Sequence, residues 1–440
     1  MASSLDHQRF IDGFRLAGPY INTHRGKTAV IAFGGEALDD ERFPSLIHDI
    51  ALLHSLGLRV VLVHGARPQI QARLDEAGVE QRYAGGLRIT DEASLPLVKE
   101  AIGRARIRIE ALLSMGLPNS PMHGARIRVV SGNVVIARPL GIRDGVDYCF
   151  TGEVRRIDHQ AIRAWLDGGA IVLLSSLGYS PTGEAFNLSA DEVAIATASS
   201  LRADKLLLLS ESGGPLRHAG GTLRELSPAD AERLLAGNPM PTVETERLLR
   251  QALAACRAGV RRIHLLDWRL DGALLLELFT RDGVGTLLTA DIYEGLRPAT
   301  IDDVGGILEL IRPLEEEGIL VRRSRELLET EIERFIVLER DGTIIGCAAL
   351  YPFPEEQVGE LACVAVHPDY RNSGRADVLL RHAENEARKR RLKRLFVLTT
   401  RTAHWFLERG FQPGQLGDLP VKKQAMYNFQ RRSKVFIKPL

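Results

Sequence analysis

The chain is short of cysteine. Four occur in 440 residues, Cys149, Cys256, Cys347 and Cys363, and none stands in a CxxC pair. That excludes ribbon-type zinc motifs and a disulfide-stapled scaffold, so core thiols in a reducing compartment, and no metal, are expected. There is no run of 18 apolar residues, and hence no candidate membrane-spanning helix. Met1 to Arg15 has no basic start followed by an apolar stretch, so no secretory signal and a cytoplasmic location are expected. Net charge is nearly absent, at +1. This removes any general attraction to nucleic acid or to a membrane surface. The densest basic run, Arg388-Lys389-Arg390-Arg391, has no interleaved aromatics and reads as the solvated outer end of a helix.

What is present is the balance of a globular protein, 45% hydrophobic and 26% charged, in a chain long enough for two or three domains. Phe10 to Thr23 has the spacing of a short amphipathic helix. Continuous apolar strands then alternate with helices. Strands are expected at Thr28–Phe33, Val60–Val63, Ala170–Leu174, Lys205–Ser210 and Arg262–Leu266. Helices are expected at Pro44–Leu56, Thr90–Ser114, Asn187–Leu201 and Thr242–Gly259. Such a pattern indicates an α/β domain with a mostly parallel sheet covered on both faces. Arg126 to Ala137 reads as a β segment turning at Ser131-Gly132-Asn133. Small and polar residues, Gly34-Gly35, Gly65, Ser175-Ser176 and Ser210, follow the strands, where ligands sit in these sheets.

The pattern restarts after Asp291–Arg297. A strand at Leu296–Ala299 precedes two helices, and strands at Phe335–Glu339 and Thr343–Tyr351 flank an Asp341-Gly342 hairpin signal. Leu361 to Val366 is a buried strand preceded by Glu360. It runs through His367-Pro368-Asp369-Tyr370 into Arg371-Asn372-Ser373-Gly374-Arg375-Ala376, which opens a helix with apolar Leu379, Leu380, Ala383 and Ala387. Gly374 and Ala376 let backbone N–H groups approach a ligand, and the helix start favours a pyrophosphate. Strands at Arg394–Thr400 and Tyr427–Ile437, with a helix at Thr402–Gly410 between them, complete a smaller α/β unit.

Residues 295–440 resemble the GCN5-related N-acetyltransferases (GNAT): Arg371, Gly374 and Ala376 meet the three fixed positions of that family's coenzyme A loop. Residues from about 20 to 290 resemble the amino-acid kinase family, acetylglutamate kinases above all. The matching pieces are Phe33-Gly34-Gly35, Val63-His64-Gly65, Gly86 to Asp91, Asn187 with Asp191, and Gly283-Val284-Gly285-Thr286. The departures point away from kinase chemistry. Ala32 stands where those kinases place a phosphate-bridging lysine, Ala66-Arg67 replace two glycines, and Ser210 replaces an Asp. Arg262 to Leu266 with Asp271 to Gly283 is similar to the arginine-feedback signature of arginine-sensitive members. An inactive kinase-like domain followed by this transferase is the arrangement of the bacterial N-acetylglutamate synthases.

That resemblance implies an N-terminal arm at 1–24, a regulatory domain at 25–290 and an acetyltransferase at 295–440. The implied reaction converts acetyl-CoA and L-glutamate to CoA and N-acetyl-L-glutamate, the first step of arginine biosynthesis, with L-arginine as inhibitor. It also implies a homo-oligomer, a hexamer through the N-terminal helix being one form. An amine must lose a proton to attack a thioester, and Glu360 is the expected base, directly or through water. Backbone groups of Cys363, Val364 and Val366 are expected to hold the pantetheine arm, and Arg371 to Ala376 the pyrophosphate. Phe406 stands where many relatives carry a proton-donating tyrosine, which leaves Thr399, or Thr400, as candidate acid. Arg322, Arg323, Arg431, Arg432 and Ser433 are candidates for the two glutamate carboxylates. Tyr20, His264, Glu277 and Gly283 are the expected arginine site, against the plainer reading of His264 and Glu277 as a surface pair with no ligand. Two further readings compete: an amino-acid-regulated protein lysine acetyltransferase, and an amino-acid kinase.

Overall fold

The structure, a computed structural model, describes residues 4–116, 122–218, 221–237, 242–280, 282–289, 294–340, 343–371, 374–425 and 433–440. The chain divides into two compact units, Met1–Asp291 and Ile292–Leu440.

The first unit is built on an eight-stranded sheet. Its strands are β1 (Thr28–Phe33), β2 (Arg59–His64), β3 (Val129–Val130), β4 (Ile171–Ser175), β5 (Lys205–Leu209), β6 (Glu225–Leu226), β7 (Arg262–Leu266) and β8 (Thr286–Thr289). They lie in the order β6-β8-β7-β5-β1-β2-β4-β3, parallel except where β7 meets β8. The continuous Val/Leu/Ile composition follows from burial on both faces. Val30, Val61, Val172 and Leu206 face one layer of helices, while Ile31, Leu62, Leu173 and Leu207 face the other. One layer holds the helices at His159–Asp167, Ala190–Leu201 and Val243–Arg257; the other holds those at Phe43–Ser55, Ser94–Leu113 and Ala273–Phe279.

The segment with Ser131-Gly132-Asn133 is not a hairpin. Val129–Val130 joins the main sheet beside β4, while Val135–Pro139 joins a separate four-stranded sheet and pairs with Gly152–Ile157. The turn is a crossing between two sheets, so its flanking strands never meet. The N-terminal helix is longer than its spacing suggests, Ser4–His24, and packs on the Ala273–Phe279 helix. His24 Nε2 lies 2.7 Å from the Leu278 carbonyl. The helix's outer side leaves Phe10, Phe14 and Leu16 exposed.

The second unit has seven strands: β9 (Glu294–Pro298), β10 (Phe335–Arg340), β11 (Thr343–Phe353), β12 (Val358–Val366), β13 (Arg394–Thr399), β14 (Gln412–Gly414) and β15 (Lys434–Pro439). They lie in the order β9-β10-β11-β12-β13-β15-β14, antiparallel except for β12 beside β13. The Arg375–Lys389 helix covers one face through Leu379, Leu380, Ala383 and Ala387; the Val304–Glu316 and Arg325–Glu331 helices cover the other. The last strand is described over Lys434–Pro439, its expected start near Tyr427 lies outside the described residues, and the strand β14 is not legible in the sequence. The Asp341-Gly342 turn lies outside the described residues.

Candidate active site and effector site

β12 and β13 pair only through Val358–Arg394, Gly359–Leu395 and Glu360–Phe396. Beyond that register the parallel ladder stops, while β12 continues to Val366 and β13 to Thr399. The fork exposes the β12 edge from Leu361 onward, a row of backbone groups without ladder partners that suits an extended chain carrying amides. Cys363 lies within this stretch at φ +53°, where the register against β11 shifts. A non-glycine residue in that conformation is uncommon, and bulges of this kind re-aim backbone groups next to sites. Val364 and Val366 pack toward the Arg375–Lys389 helix. The Cys363 side chain is buried, with the Cys347 thiol donating to its carbonyl at 3.5 Å, so it fills space rather than facing solvent.

At the far end of β12, Arg371 Nε donates to the Val366 carbonyl at 3.2 Å. Gly374 is the N-cap of the Arg375–Lys389 helix at φ +77°, ψ 0°, a conformation that glycine enters without strain. It aims the helix's first N–H groups, those of Arg375 and Ala376, outward at its positive end. The Arg375 guanidinium stacks over Tyr370, 5.0 Å from the ring centre. Asn372 and Ser373 lie outside the described residues.

Glu360 sits at the fork, 6% exposed. Its Oε2 forms an ion pair with Lys423 Nζ at 2.6 Å, close in distance but not aligned as a hydrogen bond. Lys423 comes from the short Val421–Ala425 helix and also lies over the Tyr351 ring at 5.9 Å. Tyr351 is directly opposite Glu360 across the β11–β12 ladder, so the two side chains share a face. Its hydroxyl donates to Glu331 Oε2 at 2.6 Å, and burial together with Glu331 raises the phenol well above its usual range. Arg323 is half-buried beside this group. Burial opposes its charge, but Cys363, Tyr351 and Glu360 outweigh that and raise its pKa. Arg322, its neighbour, is exposed. Ser433 is buried just ahead of β15, while Arg431 and Arg432 lie outside the described residues.

Thr399 lies at the end of β13, but its hydroxyl already serves the turn: Oγ1 accepts from the Thr402 N–H at 3.1 Å and lies 2.8 Å from the Thr402 hydroxyl. The next residue, Thr400, has a buried Oγ1 with no hydrogen-bond partner among the described residues.

In the first unit, the carboxyl ends of β1, β2, β4 and β5 converge on a cavity of about 650 Å3, lined among others by Gly34, Gly65, Ser176, Asn187 and Ser210. Among the described residues its lining includes Arg67, Arg88, Arg143 and Arg247 but no lysine. Ala32 is buried at the end of β1, and Arg247 is held by Asp191 and Glu244.

His264 and Glu277 are not a surface pair. Both are buried, with Nδ1 of His264 2.6 Å from Glu277 Oε1. Glu277 Oε2 accepts from the backbone N–H groups of Val284 at 2.8 Å and Gly285 at 2.9 Å. Burial alone would raise this carboxyl; the imidazole and the two backbone donors outweigh it and hold the pKa at about 2. Burial also pushes the His264 imidazole down, against the pull of Glu277. A neutral ring donating from Nδ1 leaves Nε2 as an acceptor, and that atom is buried with no partner among the described residues. Gly283 has φ +59°, and a Cβ there would lie 2.4 Å from Glu277 Oε2, so the loop closes onto the carboxylate only with glycine. Tyr20 is half-buried on the N-terminal helix, which packs against the helix that carries Glu277.

Residues 27–267 match the amino acid kinase family and residues 305–411 the acetyltransferase (GNAT) family. The amino-acid acetyltransferase of Yersinia enterocolitica is 54% identical over 433 residues, 98% of each chain. That of Yersinia pseudotuberculosis is 53% identical over the same span. N-acetylglutamate synthase from Neisseria gonorrhoeae, solved with coenzyme A and L-arginine, is 40% identical over 98% of this chain and 99% of its own, with a TM-score of 0.87. The chain belongs to the bacterial N-acetylglutamate synthases. It is an acetyl-CoA-dependent amino-acid N-acetyltransferase. The same Neisseria synthase solved with coenzyme A and N-acetyl-glutamate matches with a TM-score of 0.61.

Within this synthase, sequence reasoning missed Tyr351 and Lys423. Tyr351 could have been found from strand alternation, since the residue opposite Glu360 must share its face. Lys423 had no such signal, because it lies on a five-residue helix with no apolar period. Among the described residues no helix is long and apolar enough to cross a membrane, and no cluster of metal-ligating side chains occurs.

Proposed function

We propose that this synthase transfers the acetyl group of acetyl-CoA to the α-amine of L-glutamate, releasing CoA and N-acetyl-L-glutamate, as the first step of arginine biosynthesis. The observation that carries the reading is Glu360, a buried carboxylate at the point where β12 and β13 part. The pantetheine amides pair with the free β12 edge around Cys363 to Val366, and the pyrophosphate lies on the Gly374 loop and the helix start. Glu360 takes a proton from the α-ammonium, the neutral amine attacks the thioester carbonyl, and CoA leaves as the thiolate. Backbone N–H groups of the bulge polarise the carbonyl oxygen. Of the two threonines, Thr400 has the free hydroxyl to protonate the thiolate. Arg323 binds a glutamate carboxylate, with Arg432 and Ser433 at the second.

L-arginine inhibits by binding in the first unit, a regulatory domain at 25–290 that is inactive as a kinase. The Glu277 carboxylate has four acceptor positions, of which three are filled, and His264 Nε2 is a separate acceptor with no partner among the described residues. A guanidinium, which only donates, complements both. The Neisseria relative was solved with L-arginine, which supports the assignment. The exposed Phe10, Phe14 and Leu16 support a homo-oligomer through the arm at 1–24, with a hexamer as one closed form, in the cytoplasm. The test is mass-spectrometric identification of products from acetyl-CoA with a panel of amino acids. N-acetyl-L-glutamate as the preferred product supports the reading; preference for lysine side chains of peptides, or consumption of ATP, replaces it.

A further inference from the structure

An acceptor amine must lie against the base before it can give up its proton. In this structure a primary ammonium already lies there, and it belongs to the chain itself: Lys423 Nζ is 2.6 Å from Glu360 Oε2. The contact is at the fork of β12 and β13, and the Lys423 side chain is 28% exposed, so the amine is neither locked in the core nor loose in solvent. The Tyr351 ring beneath it completes a pocket for a cation. An ε-ammonium and an α-ammonium are the same functional group, so whatever brings the acceptor's nitrogen to Glu360 has a competitor on the Val421–Ala425 helix.

We infer that Lys423 is a self-acetylation site: with acetyl-CoA bound and no amino acid present, the enzyme transfers the acetyl group to Lys423 Nζ. The inference rests on the reading of Glu360 as base and of the fork as the acetyl site. The step balances without further reactants. The Lys423 ammonium gives one proton to Glu360, its lone pair forms the C–N bond to the acetyl carbon, and the C–S bond breaks. CoA leaves as a thiolate that takes up a proton, so the ammonium, acetyl-CoA pair becomes an amide, CoA and one released proton. The product amide is neutral, so Glu360 is left buried without its cation. Acetylation at Lys423 is therefore self-inactivating. An amino acid substrate prevents it by taking Lys423's place on the carboxylate.

Lys389 provides the comparison within the same chain. It too is paired with a carboxylate, Glu386 at 2.6 Å, but it is 71% exposed and stands at the end of its helix away from the Gly374 loop. The test incubates the full-length enzyme with isotopically labelled acetyl-CoA, with and without glutamate, and maps acetyl-lysines by peptide mass spectrometry. The expected result is labelling of Lys423 at least tenfold faster than of Lys389, suppressed by glutamate and matched by loss of activity during preincubation. Glu360→Gln abolishes the Lys423 labelling and leaves that of Lys389 unchanged, and Lys423→Arg abolishes the loss relative to its own starting rate. If Glu360→Gln folds poorly, glutamate protection of the unaltered enzyme still decides. Lys423 labelled no faster than Lys389, or labelled equally with glutamate present, in an enzyme that acetylates glutamate, overturns the inference alone. No acetylation of glutamate overturns the reading of the site together with it.

Discussion

Replacing Glu277 by Gln removes one charge and almost no volume, which makes it a sharp probe of the His264 site. The carboxylate accepts three hydrogen bonds, from His264 Nδ1 at 2.6 Å, Val284 N–H at 2.8 Å and Gly285 N–H at 2.9 Å. Charge-assisted bonds are about twice as strong as neutral ones, so losing the charge weakens each by about 1 kcal/mol, or about 3 kcal/mol in sum. Linkage gives a similar figure. The carboxyl titrates at 4.5 in its reference state and is held at about 2 here. Between those values the unfolded chain binds a proton that the folded chain does not, so stability rises with pH through the window, is complete above 4.5, and is lost as pH falls toward 2. The difference corresponds to about 3 kcal/mol. Gln retains neutral versions of some of the bonds and avoids burying a charge, so a net loss of about 1–3 kcal/mol is expected. For a unit of this size that is a fall in Tm of about 3–10 °C. Calorimetry of the full-length protein at pH 7.5 reads it directly, and a second scan series from pH 6 to 3 should show a shallower acid loss in the variant. A Tm within about 1 °C of the unaltered protein, with the same acid limb, refutes the role assigned to this carboxylate. The variant is also expected to lose the arginine response, because the remaining acceptor position goes with the charge.

Glu360→Gln is expected to lower kcat with glutamate by about 10²–10⁴-fold while KM changes little, as removal of a base requires; initial rates of CoA release check it. Arg323→Ala is expected to raise the glutamate KM at least about tenfold, the loss of a charged hydrogen bond, with the acetyl-CoA KM unmoved. Gly374→Ala has room for its methyl group but must hold φ +77°, at about 1 kcal/mol. If the strain is relieved by turning the loop, the acetyl-CoA KM rises about fivefold, and isothermal titration with CoA measures it directly. His264→Asn keeps a polar side chain but withdraws the Nε2 acceptor, and is expected to weaken arginine inhibition with little effect on the rate without arginine.

The two units were legible because their strands are written in a strong alphabet. Thr28–Phe33 and Lys205–Leu209 are apolar at every position after the first because both faces are buried, and helices with clear caps or apolar stripes separate them. The turn proposed to hold the coenzyme pyrophosphate was legible as a turn, because its left-handed N-cap leaves a glycine in the sequence, at Gly374. Other features left no such mark. Ser131-Gly132-Asn133 has hairpin chemistry, but whether two strands pair depends on which sheet each joins, and that is set by contacts far away in the chain. The burial of His264 and Glu277 left no such mark, because burial of two polar side chains depends on the loop that closes over them at Gly283 to Gly285. The end of the ladder at Glu360–Phe396 is a property of two strands together, and Lys423 reaches it from a segment that no periodicity places. The sequence offers Thr399 or Thr400 at the strand end as candidate acid; that the backbone N–H of Thr402 donates to the Thr399 hydroxyl follows from the turn geometry, which the sequence does not specify.

The central claim is that one chain joins a glutamate acetyltransferase to an arginine-sensing kinase-like domain. Initial rates of CoA release from acetyl-CoA and L-glutamate, measured across a range of L-arginine concentrations, test it most directly. The account predicts glutamate-dependent release that falls as arginine rises, and an arginine effect that disappears in Glu277→Gln while the release remains. Sustained release beyond one CoA per chain that requires no glutamate, or glutamate-dependent release that arginine leaves unchanged, contradicts it.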